Sequence, residues 1–166
     1  MKKQKVKIFI DGANVFYTQK HLSWSIDWKK IHRLISKDFN IIETRYYTGV
    51  KNNDERMRKF LSHLRKINFK TVTKPLKQMK DSSGGIFYKS NCDVEIAVDL
   101  ILDTDTFDTL ILLSGDSDFA YIIKILQKNF QKKVIVYSSR KTISWELKLA
   151  ANKYIFFEDI KKLIER

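Results

Sequence analysis

Three short acidic turns hold the residues of this chain best suited to chemistry. Asp11-Gly12-Ala13-Asn14 follows the apolar run Val6–Ile10, Asp93 opens the segment Cys92–Leu102, and Ser114-Gly115-Asp116-Ser117-Asp118 follows the apolar run Thr109–Leu113. Carboxylates collected at strand ends repel one another unless a cation lies between them, and a set of oxygen donors suits a hard divalent ion. Asp11, Asp93, Asp116 and Asp118 are therefore the candidate metal ligands. Asp11 is the first polar side chain past its strand, Gly12 lets the chain bend sharply, and the Asn14 amide should face the same crevice. An ordinary strand-to-helix turn with Asp11 as cap fits that first stretch equally well. The last turn is more specific, because a cap needs one of Ser, Thr, Asp or Asn and this turn supplies four in five positions.

Asp93 should fall in the first turn of a helix, where the dipole also favours a negative charge. Asp99 lies six residues further on, about 9 Å along the axis and about 120° round it. The two cannot easily share one ion, so Asp99 is expected to play a supporting or structural part. Glu95 should face away from Asp93 into solvent. His21, His32 and His63 show no ligand spacing. Trp24, Trp28 and Trp145 are read first as packing residues, with base stacking by Trp24 and Tyr17 a secondary reading.

The elements that must position these residues follow from periodicity. Strands are expected at Val6–Ile10, Asn40–Thr48, Phe69–Lys74, Thr109–Leu113, Val134–Tyr137 and Tyr154–Phe157, mostly as continuous apolar runs of the kind buried on both faces. Helices are expected at Ile26–Ile35 behind an Asp27 cap, Asn53–Ile67, Cys92–Leu102, Phe119–Asn129, Ser144–Ala151 and Asp159–Ile164. Met79–Ser90, with Asp81-Ser82-Ser83-Gly84-Gly85, reads as a loop followed by a short Ile86–Tyr88 strand. Alternation of this kind predicts an α/β fold, a three-layer α/β/α sandwich around a mostly parallel, Rossmann-like sheet. Sites in such folds lie at the carboxyl ends of the strands, where the strand order reverses. If the first strand neighbours Thr109–Leu113, the acidic turns meet.

Bulk composition bounds the rest. The chain has 166 residues, 43% of them hydrophobic, and a formal net charge of +13, which fits one globular domain over residues 1–166. Between Ser90 and Ile123 there are eight acidic residues and no lysine or arginine. From Lys51 to Lys80 ten basic residues face two acidic ones, and from Lys128 onward ten face four. Basic flanks around an acidic island point to a polyanionic partner. Lys51, Arg56, Arg58, Lys59, Lys74, Lys77, Lys80 and Lys89 are the candidate nucleic-acid contacts. A lone cysteine, Cys92, excludes an internal disulfide and a multi-cysteine metal site. No apolar run approaches the roughly 20 residues of a membrane span, and the first apolar stretch is too short for a signal peptide, so the cytoplasm is the expected compartment.

In this order, Ile8-Phe9-Ile10-Asp11-Gly12-Ala13-Asn14, Lys89 through Asp99, and Leu113-Ser114-Gly115-Asp116-Ser117-Asp118-Phe119 resemble the NYN domains of the PIN-like nuclease superfamily, in particular the bacterial LabA-like branch. The resemblance runs from about Val6 to Phe157. It implies a PIN-like fold and phosphodiester hydrolysis, usually of RNA rather than DNA, with Mg²⁺ or Mn²⁺ held by the acidic cluster. Under it Asp11, Asn14, Asp93, Asp116 and Asp118 form the catalytic set, with Asn14 orienting Asp11 or a phosphate. Ser114 supports the turn, and Asp99 matches a second acidic position on the helix. The lysine-rich segment Met79–Ser90 maps onto no motif of the family and is where substrate choice is expected to lie. Competing readings are a non-catalytic nucleic-acid-binding or scaffold protein with the same fold, and an aspartate-nucleophile phosphatase. The intact acidic set argues against the first, and the Gly-Ala-Asn after Asp11 argues against the second. A homodimer through exposed aromatics such as Trp24 or Tyr154 stays open.

Overall fold

A computed structural model of the chain describes residues 3–80 and 82–166, with the side chains of residues 87–89 outside the description. Six strands form one sheet in the order β3-β2-β1-β6-β7-β8, comprising β1 (Lys5–Asp11), β2 (Asn40–Val50), β3 (Phe69–Pro75), β6 (Thr109–Leu113), β7 (Lys133–Ser138) and β8 (Lys153–Phe156). Every neighbouring pair is parallel. The chain builds outward from β1 to β3, then returns to β6 on the other side of β1. The order therefore reverses between β1 and β6, whose carboxyl ends carry Asp11 and Ser114–Asp118.

Alternation along the strands sorts the core into two layers. Val6, Ile8 and Ile10 of β1 pack with Ile111 and Leu113 against α1 (Gly12–Leu22), α2 (Trp28–Ser36), α3 (Glu55–Lys66) and α7 (Lys161–Ile164). Phe9, Leu110 and Leu112 face the other way, toward α4 (Asp93–Leu102), α5 (Phe119–Phe130) and α6 (Trp145–Ala150). This is the expected α/β/α sandwich. Asp27 caps α2 by accepting from Lys29 and Lys30 N–H. Asp54 and Ser144 do the same for α3 and α6 through Met57 and Leu147 N–H. Each satisfies donors the helix cannot.

Three parts differ from the sequence reading, the first being α1, an 11-residue helix that is not among the expected ones. The expected Ile86–Tyr88 strand is present as β5 (Ile86–Lys89), but it pairs antiparallel with an unexpected strand, β4 (Lys77–Lys80), that overlaps the start of the expected loop. The run Lys77-Gln78-Met79-Lys80 is exposed throughout, so no buried face imprinted a period-2 pattern on it. The final helix is split into a 3₁₀ turn at Phe157–Ile160 and a short α7. Of the tryptophans, Trp28 is buried as expected, whereas Trp145 is 68% exposed.

Candidate functional site

Asp11 ends β1 and caps α1. It is buried, its Oδ1 accepting from Asn14 N–H at 3.1 Å and its Oδ2 from the Ser114 hydroxyl at 3.0 Å. Ser114, also buried, in turn accepts from Asp116 N–H at 3.2 Å. The Asn14 side chain closes the crevice, its Oδ1 taking Gly115 N–H at 2.9 Å. The β1 and β6 turns are thus cross-bonded, which fixes the separation of Asp11 and Asp116. Two glycines make the approach possible. A Cβ on Gly12 would lie 2.4 Å from the Tyr47 carbonyl oxygen, and one on Gly115 would lie 2.3 Å from that of Thr142.

The third carboxylate arrives on α4. Asp93 occupies the first turn of that helix, and its Oδ2 accepts from Asn91 Nδ2 at 2.7 Å. Asp11, Asp93 and Asp116 each present an oxygen within 4.8 Å of the other two. Asp118 lies at one remove, its backbone N–H donating to Asp116 Oδ1 at 3.0 Å and its side chain exposed. Burial, then the charges of Asp11, Asp116 and Asp118, push the Asp93 carboxyl up to about 6. Burial also raises Asp11, against the hydrogen bonds from Asn14 and Ser114 that favour its charged form. A trio of carboxylates, each with acceptor capacity left after its one or two hydrogen bonds, fits a hard divalent cation by its all-oxygen donor set.

Of the rest of the acidic island, Glu95, Asp99, Asp103 and Asp108 find partners within the protein. Lys7, buried on the α4 face of β1, donates to Asp103 Oδ2 at 2.8 Å and lies 3.6 Å from Glu43. Arg45 spans Glu43, Asp99 at 3.1 Å and Asp103 at 2.6 Å. The Tyr47 hydroxyl donates to Asp99 Oδ2 at 2.7 Å. Asp99 therefore anchors the far half of α4 to the sheet and stays apart from the trio. Burial resists ionisation of Glu43, but hydrogen bonds from Lys70 and Arg45 outweigh it and lower its pKa. Glu95, expected in solvent, pairs with Lys74 at 2.7 Å. Asp108 accepts from the Lys5 backbone N–H. Reading the sequence missed Lys7 and Arg45 because strand cations resemble solvated edge residues. The available signal was a lone lysine inside the buried run Val6–Ile10, which demands a carboxylate.

Of the candidate phosphate contacts, Arg56, Lys59, Lys77 and Lys80 are exposed, Arg58 pairs with Glu55 on α3, and Lys51 is exposed in the turn after β2. Lys74 also donates to the Asn91 carbonyl at 3.3 Å, next to Asp93. Lys89 stands opposite Lys77 in the hairpin ladder, and its side chain lies outside the described residues.

A family model described as the NYN domain matches residues 5–160. The chain belongs to the NYN domain family. It thereby falls within the PIN-like nuclease superfamily. This NYN domain is 32% identical over 166 residues to the low amplitude and bright protein LabA of Synechococcus elongatus, covering 98% of this chain and 88% of the relative. A crystal structure of a protein of unknown function, VPA0982 from Vibrio parahaemolyticus, superposes with a TM-score of 0.83 at 26% identity, covering 98% of this chain and 96% of the other. The NYN match spans all three acidic turns, so Asp11, Asp93 and Asp116 all lie within the family's own domain. No helix among the described residues is long and apolar enough to cross a membrane.

Proposed function

We propose that this NYN domain is a metal-dependent endoribonuclease acting on single-stranded RNA. The observation that carries the reading is the convergence of Asp11, Asp93 and Asp116 oxygens within 4.8 Å at the switch point of a parallel sheet. These three carboxylates would hold Mg²⁺ or Mn²⁺, with Asp118 completing the acidic rim. When bound, such an ion acidifies water, polarises a phosphoryl oxygen and offsets charge on the leaving oxygen.

The chain's own groups supply order. Ser114 and Asn14 N–H each take one oxygen of Asp11, Asp118 N–H fixes Asp116, and Asn91 fixes Asp93. These bonds hold in place three carboxylates whose oxygens lie within 4.8 Å of one another, so little reorganisation is needed on loading. Lys77 and Lys80 on the hairpin, together with Arg56, Lys59 and the neighbouring Lys51 and Arg58, would hold the RNA backbone, a contact that positions without reading sequence. Lys74 and Lys89 would extend that surface toward Asp93.

The test is cleavage of a labelled single-stranded RNA with Mn²⁺, with Mg²⁺ and with EDTA, comparing wild type with Asp116→Asn. Cleavage that needs the ion and is lost in the variant is the expected result. Binding without cleavage, unchanged by the substitution, would instead make the chain a nucleic-acid-binding scaffold.

A further inference from the structure

Helix α1 leaves an unusual face in water. It buries only Gly12, Val15 and Thr18, while Phe16 and Tyr17 are 50% and 60% exposed. Their rings meet edge to face at 5.5 Å between centroids. The Lys20 ammonium sits over both, 4.5 Å from the Phe16 centroid and 5.6 Å from that of Tyr17. Among the described residues Lys20 makes no ion pair. The helix cannot roll to hide these rings, because Thr18 Oγ1 bonds Thr142 Oγ1 at 2.9 Å and Asn14 Oδ1 holds Gly115 N–H at 2.9 Å.

The face also starts at the carboxylates. Asn14 and Tyr17 are three residues apart and share a side of the helix, and Tyr17 is displaced from Asn14 by only about 4.5 Å along the axis. Tyr17 thus lies one helical turn from Asn14, which lines the crevice that holds Asp11, with Phe16 beside it and the Lys20 ammonium over both rings. A protein partner is a poor match, since lysine is depleted at the cores of protein interfaces. A nucleic acid offers both chemistries at once, a base face for the rings and a phosphate for the ammonium.

We propose that Phe16, Tyr17 and Lys20 form a stacking platform for an unpaired base of a single-stranded nucleic acid whose backbone passes the carboxylate trio. The proposal rests on the nucleic-acid reading above and deepens it, because a stacked duplex cannot offer a base face to the platform. Stacking of this kind tolerates any base, so the platform selects strandedness rather than sequence.

Binding of a short fluorescent oligouridylate, followed by anisotropy in EDTA, separates this from cleavage. The comparison is with the same oligomer carrying abasic positions, for wild type, Phe16→Ala, Tyr17→Ala and, as an exposed aromatic on the far edge strand, Tyr154→Ala. Loss of the Tyr17 or Phe16 ring should weaken binding of the intact oligomer about tenfold while leaving the abasic oligomer almost unaffected. Tyr17→Phe and Tyr154→Ala should bind like wild type. The platform is overturned if Tyr17→Ala and Phe16→Ala bind both oligomers as wild type does, or if Tyr154→Ala loses as much. If base-dependent binding holds but no RNA is cut with Mn²⁺ or Mg²⁺, the nuclease reading fails and the platform stands.

Discussion

Asp93 titrates at about 6 because burial and the charges of Asp11, Asp116 and Asp118 all favour its protonated form. Between its unfolded value of 3.8 and that folded value, the native state holds the extra proton, so the metal-free protein loses stability as pH rises through this window. Asp11, also raised, acts in the same direction. The melting temperature in EDTA should therefore fall from about pH 4 to about pH 6.5, and Asp93→Asn should flatten that fall. A divalent ion needs the ionised carboxylates, so Mn²⁺ affinity measured by calorimetry should rise over the same interval and be lost in Asp93→Asn. An affinity that ignores pH would remove Asp93 from the ligand set.

At the scale of elements, two tight approaches and one charge network hold the site. Gly115→Ala drives a methyl into the Thr142 carbonyl, and overpacking of that order costs about 1–3 kcal/mol, readable as a lower urea midpoint. Asp103→Ala strips Lys7, whose side chain is only 6% exposed, of its closest carboxylate. Glu43 stays 3.6 Å from Lys7 and offsets part of that charge, so the loss should fall below the about 3–5 kcal/mol of a fully uncompensated buried charge, again read as a lower urea midpoint. The strands and most helices could be read beforehand because their burial imprints a period. β6 (Thr109–Leu113), wholly buried, is an unbroken apolar run with the expected bounds. Of the β4–β5 hairpin only β5 was legible, since β4 buries none of its residues and left no such trace. Helix α1 was legible at its Asp11 start and poorly beyond, since its buried side is Gly12, Val15 and Thr18. The separation of Asp93 from Asp99 followed from helix pitch alone, whereas Arg45 as the partner of Asp99 depends on β1–β2 register that no local pattern encodes.

Across the whole molecule, the formal charge of +13 sets a salt-dependent attraction for polyanions, with a log–log slope of about −0.7 per phosphate contact on single strands. Replacing both Lys77 and Lys80 by Gln should make that slope shallower by about 1.4, measured by anisotropy across a salt series. An unchanged slope would take the hairpin off the binding surface. Helix α4 joins the two charge systems of the fold. Its far end is fastened through Asp99 and Asp103 to Arg45 and Lys7, cations the chain always carries. Its leading end carries Asp93, pressed by the like charges of Asp11, Asp116 and Asp118, and is tied by the Asn91 amide and by Lys74, which pairs with Glu95. The helix is thus clamped by buried strand cations at one end and by one partly exposed lysine at the other. Backbone amides near Ile96 should trade hydrogen for deuterium faster than those near Leu102, and added Mn²⁺ should erase that gradient by slowing the leading turn alone.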